Sequence, residues 1–426
     1  MACNFNIHHF RSRRILIINT GKKTNNLIRL FYPLTTLVLS FFFLGVIASA
    51  NYAFGKSTCG NSFENFLIEL KKEAISKGYK KEVVDSFLEE AVRDPKVLEA
   101  DRSQTIFRKS FFEFSRAVIS THRLQHAAIN ERRFKEAFKN IHMVYGVPKE
   151  ILLTFWALET DFGLFQGEYN TLNSLLTLSH DCRRPNLFRP QVFGALELYT
   201  RKSFDPRTTK GAWAGEVGML QMLPLDILKH GVDGDNDGKI DISASAIDAL
   251  YSTAKKLVTM GWKRDEPWLL EVRVPENMDW LKTGLNTTLP LKEWEGMGVW
   301  PRLGKFQNFE KVSLVIPMGR KGPAFLTYPN FRVLSEWNNS SIYIITAAYF
   351  ATLLNGEPRY RLGSPEPILN LTDMLLLQKK LEQKGYDVGG VDGILGAKTR
   401  KAVKQEQIKM RIPADGWPTK NLLNKI

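Results

Sequence analysis

The chain contains 426 residues, of which 44% are hydrophobic and 24% are charged, a composition that excludes disorder on a large scale. This length allows two or more domains, each with a core of its own. The formal net charge is +15, but lysine and arginine are scattered among acidic residues without a recognition motif, which argues against a nucleic-acid ligand and favours an acidic polymer or surface.

The N-terminal residues have the pattern of an export signal. Residues 1–50 include six basic side chains and no acidic one, which leaves a net charge of +9 on the rest of the chain. An apolar run from Leu34 to Ala48 leads into Ala48-Ser49-Ala50, an order typical of a signal peptide and its cleavage site. We predict a secretory signal peptide over residues 1–50. An uncleaved membrane anchor is the alternative, although the run is shorter than the ~20 residues of a spanning helix.

Two cysteines follow this segment, Cys59 and Cys182. A pair of cysteines in an oxidising compartment is compatible with a disulfide, and two separate thiols are the alternative. Their spacing is not that of metal ligands, and no histidine makes a compelling partner for a nucleophilic cysteine.

Apolar residues recur at intervals of three and four between Ser62 and Asn140, which predicts a series of packed helices. Further helices are predicted over residues 149–160, 191–200, 243–260 and 340–354.

The most informative stretch runs from Tyr145 to Gly163. The turn at Gly146-Val147-Pro148 should start a helix, since proline suits a first helical turn. Residues 151–158 are almost all apolar, so the helix should be buried on most sides, and Gly163 should stop it. Glu159 ends the apolar run. A carboxyl held in apolar surroundings resists ionisation and can keep a proton near neutral pH, whereas the alternative is an ordinary solvated or capping glutamate.

A second stretch, from Gly211 to Pro224, is rich in small residues and contains Gln221. Small residues let the backbone approach a ligand closely, and a glutamine side chain both donates and accepts hydrogen bonds. This chemistry suits sugar hydroxyls and N-acetyl groups. The alternative is a tight packing loop.

A third stretch, Asp233-Gly234-Asp235-Asn236-Asp237-Gly238, has carboxylates at alternate positions and glycine at the sixth, like the start of a calcium-binding loop. The closing glutamate at position twelve is absent, since Ala244 stands there, and Asp248 is the nearest acid beyond it. We predict a calcium site, with a polar loop that caps the next helix as the alternative.

The rest of the chain divides into three parts. Short apolar runs between glycine and proline predict a small strand-rich insertion at about residues 264–335. Trp337-Asn338 then precedes an apolar helix, and the default interpretation of the asparagine is that it caps this helix. A linker rich in glycine and proline, residues 356–368, leads to a separate small helical module over residues 369–426.

These stretches, in this order, resemble the lytic murein transglycosylase B family over roughly residues 62–354. The resemblance lies in Ala157 to Gly163, in Trp213-Ala214-Gly215 through Gln221 and Pro224, in the aspartate loop, and in Trp337-Asn338. It implies that Glu159 is catalytic and that Gln221 and Asn338 line the sugar cleft. We add Trp213, Trp337 and Tyr343, from the same stretches, as substrate-binding candidates. The calcium ligands it implies are Asp233, Asp235, Asp237, the carbonyl of Lys239, and Asp248.

The chain departs from the family pattern at three positions near these motifs. Ala212 stands in place of a serine, Glu216 in place of a small apolar residue, and Trp337 in place of a tyrosine.

The last module resembles the peptidoglycan-binding domain found beside many cell-wall enzymes, chiefly in Val391-Asp392-Gly393 and Asp415-Gly416. The alternative is a three-helix accessory domain without a ligand.

The expected fold is mainly α: a lysozyme-like helical catalytic domain over residues 51–355 with the strand-rich insertion, and a three-helix C-terminal domain. The resemblance implies a periplasmic, monomeric peptidoglycan lytic transglycosylase whose partners are glycan strands and other cell-wall enzymes. Its chemistry requires no cofactor, and calcium is structural. The alternatives are a hydrolytic muramidase and a catalytically idle peptidoglycan-binding scaffold.

Overall fold

The computed structural model describes residues 61–103, 109–338 and 340–426. The predicted signal peptide and Cys59 lie outside these residues, so the signal and the disulfide stay predictions; Cys182 is exposed. Among the described residues, none of the helices is both long enough and apolar enough to cross a bilayer.

The first described part of the chain is a series of six helices, as the three-and-four periodicity predicted. Serine side chains cap several of them: Ser62 accepts from the backbone of Asn65, and Ser110 and Glu113 form a reciprocal capping box. The bounds are α1 Phe63–Ser76, α2 Lys81–Phe87, α3 Pro95–Arg102, α4 Phe111–Val118, α5 Thr121–Arg133 and α6 Lys135–Tyr145.

The middle of the chain adds five helices and a two-stranded antiparallel sheet in which Tyr169 pairs with Gly211. The helix predicted over residues 191–200 begins earlier than expected, at Pro185, with Pro190 inside it, so the predicted start was wrong. Pro185 occupies the first turn, where its missing N–H costs nothing. The bounds are α7 Lys149–Thr160, β1 Tyr169–Asn170, α8 Thr171–His180, α9 Pro185–Thr200, β2 Lys210–Gly211, α10 Pro224–His230 and α11 Ala246–Thr259.

The predicted strand-rich insertion is present as a four-stranded antiparallel sheet of order β4-β3-β6-β5. Its small core includes Trp280 from a short 3-10 helix and the fully buried Trp294. Two helices follow it and complete the region. The bounds are β3 Leu269–Arg273, α12 Leu291–Gly296, β4 Trp300–Pro301, β5 Ser313–Val315, β6 Ala324–Thr327, α13 Pro329–Trp337 and α14 Ser341–Leu354.

The helices bury two apolar cores. The larger core joins α4 to α7 with α11, α13 and α14, and the smaller one joins α1 to α3 with α8 and α9. The small-residue loop over residues 211–223 contributes to both: Trp213 and Leu223 pack in the smaller core, and Leu220 and Met222 pack in the larger one. This loop therefore holds the end of α7 between the two cores.

The C-terminal region consists of three helices around a core of its own, α15 Leu371–Gln383, α16 Ala397–Lys409 and α17 Lys420–Lys425. It docks on the strand-rich insertion through polar contacts. Arg400 donates to the carbonyl of Pro317 at 2.6 Å, and Lys404 donates to the carbonyl of Thr283 at 2.6 Å. The mainly helical fold class predicted from sequence is confirmed.

Candidate active site

The helix that carries Glu159, α7, is buried along its length, as its apolar run predicted. Gly146 ends α6 in the left-handed conformation, and the extended Pro148 precedes the first residue of α7. Every residue from 150 to 160 is buried. Because α7 has no solvent-exposed face, Glu159 in its last turn lies in the interior of the protein.

The helix ends at Thr160, before the predicted stop at Gly163. Asp161 and Phe162 take positive φ values of 53° and 62°, and aspartate tolerates this conformation better than most residues. Arg123 donates to the Asp161 carboxylate at 3.1 Å. The Thr160 hydroxyl donates to the carbonyl of Met219 at 2.6 Å, which ties the helix end to the small-residue loop.

The two oxygens of the Glu159 carboxyl have different surroundings. Oε1 accepts one hydrogen bond from the Tyr343 hydroxyl at 2.6 Å and another from the Trp337 indole N–H at 2.9 Å. Oε2 is buried and has no hydrogen-bond partner among the described residues. The two donors fix the orientation of the carboxyl group.

Glu159 is 1% exposed, and burial raises its pKa to about 7. The hydrogen bonds from Tyr343 and Trp337 and the positive charge of Lys256 oppose this change, because each favours the carboxylate. A substantial fraction of Glu159 is therefore protonated near neutral pH.

The small-residue loop packs tightly and leaves no room for a side chain at its glycines. Val217 and Met222 pair through two backbone hydrogen bonds of 2.9 Å. A Cβ at Gly211 would lie 2.0 Å from the carbonyl oxygen of Glu216. Gln221 is 1% exposed, and its amide donates to the carbonyls of Gly218 and residue 166 at 2.8 and 3.1 Å.

Glu216, on the same loop, is a second buried carboxyl at the site. Burial, reinforced by the negative charge of Glu159, raises the pKa of Glu216 to about 8, although the charge of Arg184 opposes the rise. Repulsion between two carboxylates acts on both, so the pair retains at least one proton at neutral pH.

The other predicted substrate-binding residues differ in their surroundings. Trp337 is the last residue of α13, and Tyr343 lies in the first turn of α14; both are fully buried against Glu159. Asn338 follows Trp337 directly and accepts from the backbone N–H of Ser340 at 2.8 Å. Trp213 packs in the smaller core.

The aspartate loop gathers three of its predicted ligands. Oxygens of Asp233, Asp235 and Asp248 lie within 4.8 Å of one another. Burial raises the pKa of Asp248, and the charge of Asp235 adds to this effect. Asp237 instead accepts from the backbone N–H of Lys239 at 2.8 Å. Three converging carboxylates offer the hard oxygen ligands that Ca²⁺ prefers, and a divalent cation would relieve their mutual repulsion.

Sequence reasoning did not identify Lys256 as part of the site. It lies on α11 seven residues after Ala249 and three after Thr253, on the apolar face of that helix, and it is 4% exposed. The signal in the sequence was the helical spacing, which places a lysine on the apolar face of a helix. Glu216 was visible only as a departure from the family pattern.

Glu159, at 1% exposure, lines neither of two cavities formed by the described residues. One, of about 300 Å³, lies between the start of α7, β3 and the end of α14. Another, of about 340 Å³, lies between α4, the start of α14 and the C-terminal region. Glu159 is thus covered by side chains in this structure.

Two family models match the chain. The model described as "Transglycosylase SLT domain" matches residues 62–352, more than half of the chain. A model for a peptidoglycan binding domain matches residues 370–426.

The chain is similar to membrane-bound lytic murein transglycosylase B of Escherichia coli (strain K12), with 25% identity over 237 residues, and the match spans 64% of that relative. It is similar to the structure of SltB3 from Pseudomonas aeruginosa in complex with NAG-anhNAM-pentapeptide, with 34% identity, a TM-score of 0.79, and coverage of 86% of this chain and 99% of that one. It shares the fold of Escherichia coli Slt35 in complex with calcium, at 22% identity and a TM-score of 0.62, over 70% of this chain and 95% of that one.

Proposed function

The chain belongs to the SLT-domain family of peptidoglycan lytic transglycosylases, and from this membership we propose that it cleaves the β-1,4 bond between N-acetylmuramic acid and N-acetylglucosamine without consuming water. The observation that carries the proposal is the Glu159 carboxyl, which is buried, with one oxygen held by two donors and the other left for proton transfer.

In the first step, protonated Glu159 donates its proton to the glycosidic oxygen. The bond between that oxygen and the muramic C1 breaks, and positive charge develops on the sugar as an oxocarbenium-like state. The carboxylate that remains is stabilised by the Tyr343 hydroxyl and the Trp337 N–H at Oε1. Both hydrogen bonds strengthen as negative charge develops, so they favour the transition state over the ground state.

In the second step, the Glu159 carboxylate takes the proton from the muramic C6 hydroxyl. The C6 oxygen bonds to C1 and closes a 1,6-anhydro ring, and Glu159 regains its proton. One residue thus acts as acid and then as base, and a pKa of about 7 suits both roles. The structure of SltB3, a relative of similar fold, is a complex with NAG-anhNAM-pentapeptide, a ligand of the kind that this reaction would form.

Hydrolysis would need a second carboxylate to activate water or to attack the sugar. Two acids lie near enough to consider. Asp161 forms an ion pair with Arg123 at 3.1 Å. Glu216, with a pKa of about 8, is mostly neutral at pH 7 and is 2% exposed. Neither is placed as a solvated base, which favours the anhydro reaction.

The C6 hydroxyl must outcompete water, so positioning and the exclusion of water matter more than a second acid. We propose that glycan binding displaces the side chains that cover Glu159, and that Gln221 and Asn338 then orient the sugars. Trp213 would support this cleft from the smaller core.

The match to a peptidoglycan binding domain over residues 370–426 supports a glycan-bound role for the C-terminal domain. The predicted signal and the curated membrane-bound relative support action in the periplasm. Asp233, Asp235 and Asp248 would hold a structural calcium ion that braces the loop before α11, and the chemistry itself requires no cofactor.

The direct test is release of muropeptides from purified sacculi by the Glu159→Gln variant, which keeps the side-chain shape but cannot transfer a proton. We expect loss of release, whereas Glu99→Gln, an exposed glutamate on α3, should match the parent. Release by Glu159→Gln at the parent rate would disprove the assignment. Binding to sacculi without release by the parent protein would favour the idle scaffold.

A further inference from the structure

Lys256 is a buried cation beside the proposed acid. Its ammonium nitrogen lies 2.7 Å from the carboxylate of Asp226, which comes from α10. The same nitrogen lies 4.5 Å from the centroid of the Trp337 ring. The Lys256 side chain is only 5% exposed, and that of Asp226 is 21% exposed.

Burial of an ammonium group is unfavourable by several kcal/mol unless partners replace its hydration. An apolar side chain of similar length would fill the same space without this cost. The position of Lys256 is therefore not explained by core packing alone. Its partners, an anion and an aromatic face, replace part of the hydration of the ammonium group and hold it at one place.

Trp337 connects this cation to Glu159. Its ring stacks on Phe155 at a centroid distance of 4.5 Å, and its indole N–H donates to Oε1 of Glu159 at 2.9 Å. A cation over an indole ring draws electron density from it, which makes the N–H a stronger donor to an anion. Lys256 thus acts on Glu159 both through space and through the indole.

We propose that Lys256, held by Asp226 against Trp337, is a positioning residue that orients the Glu159 carboxyl and adjusts its proton affinity during the reaction. This inference rests on the proposed role of Glu159 as acid and base.

Other groups act on the same carboxyl, and they set the background for a test. Burial favours the protonated form of Glu159, whereas Tyr343, Trp337 and Lys256 favour the carboxylate. The charge of Glu159 in turn raises the pKa of Glu216. His230 is buried near Asp226, and burial lowers its pKa to about 4, so it is neutral across the pH range of interest. Among the described residues, the charged and titratable groups around Glu159 and Lys256 include Tyr343, Glu216, Asp226 and His230, Lys229 and Lys255 near His230, and the Arg123–Asp161 pair at the end of α7.

The test compares the pH dependence of muropeptide release by three variants. Lys256→Met removes the positive charge, so the pKa of Glu159 should rise. The alkaline limb of the pH profile, where muropeptide release falls as the pH rises, should then move to higher pH by about half a unit to one unit. Asp226→Asn leaves the lysine charge uncompensated and should move the limb to lower pH. Lys256→Arg keeps the charge and should leave the limb in place.

Opposite shifts for Lys256→Met and Asp226→Asn would support the proposal, since loss of packing alone would change rates without moving the limb in two directions. No shift, or shifts of one sign, would overturn it. If circular dichroism shows that Lys256→Met does not fold, the Asp226→Asn variant decides. A shift of its alkaline limb to lower pH would support the proposal, and the absence of that shift would overturn it. Glu159→Gln, assayed in parallel, separates this inference from the proposed function. Activity in Glu159→Gln would refute the proposed function. If Glu159→Gln is inactive but the alkaline limb does not move in the Lys256 and Asp226 variants, only the role of Lys256 is refuted.

Discussion

Replacement of Glu159 by glutamine should stabilise the protein at alkaline pH. The folded protein holds this carboxyl with a pKa of about 7, against an ordinary value of 4.5. Because the folded-state pKa is raised, the stability linked to this proton is fully present below 4.5 and is lost as the pH rises through 7. The shift corresponds to about 3 kcal/mol at about 1.36 kcal/mol per unit. Glutamine has no proton to lose and avoids this cost.

The assay is denaturant unfolding of the parent and of Glu159→Gln at pH 5 and pH 9. At pH 5 the variant should be more stable by less than about 1 kcal/mol, because only a small part of the linked stability is lost there. At pH 9 the variant should be more stable by about 3 kcal/mol. Glu99→Gln, at an exposed position, should show no such pH-dependent difference. A stability difference for Glu159→Gln that is the same at both pH values would refute the claim that burial raises the pKa of Glu159.

Three further predictions follow from the geometry. Tyr343→Phe removes one donor to Oε1 of Glu159, so the alkaline limb of muropeptide release should move up by about one to two pH units, since a hydrogen bond to a charged group contributes about 1.5–3 kcal/mol; an unmoved limb would contradict this. Calcium should raise the melting temperature and a chelator should reverse the change, and a similar response in Asp248→Asn would show that the ion binds elsewhere. Gly211→Ala, whose Cβ would lie 2.0 Å from a carbonyl oxygen, should lose both stability and release, whereas Gly296→Ala, where a Cβ meets nothing within 4 Å, should resemble the parent.

The sequence was sufficient to predict α7 as a buried helix. A run of apolar residues without a polar face indicates a helix buried on most sides, but by itself it left open whether the glutamate that ends the run is buried or solvated. Its exact end was not predictable, because Asp161 and Phe162 adopt positive φ values, a conformation for which the nearby Gly163 was the better candidate. The short apolar runs of residues 264–335 likewise predicted the strand-rich insertion, since this pattern is local.

Contacts between distant parts of the chain were not predictable in the same way. Trp337 and Tyr343 are 178 and 184 residues from Glu159, and no local pattern shows that both donate to one of its oxygens. Lys256 and Glu216 are charged residues in a strongly charged chain, and such residues are usually solvated. Their burial depends on how α11 and the small-residue loop pack against the end of α7.

The most direct test of the account is the mass of the muropeptides that the parent protein releases from sacculi in water enriched in heavy oxygen. If Glu159 first protonates the glycosidic oxygen and then deprotonates the muramic C6 hydroxyl, the muramic ends will be anhydro, one water lighter than hydrolytic products, and free of solvent oxygen. Muramic ends that are reducing and carry the heavy oxygen would contradict the account and show that the protein is a hydrolase.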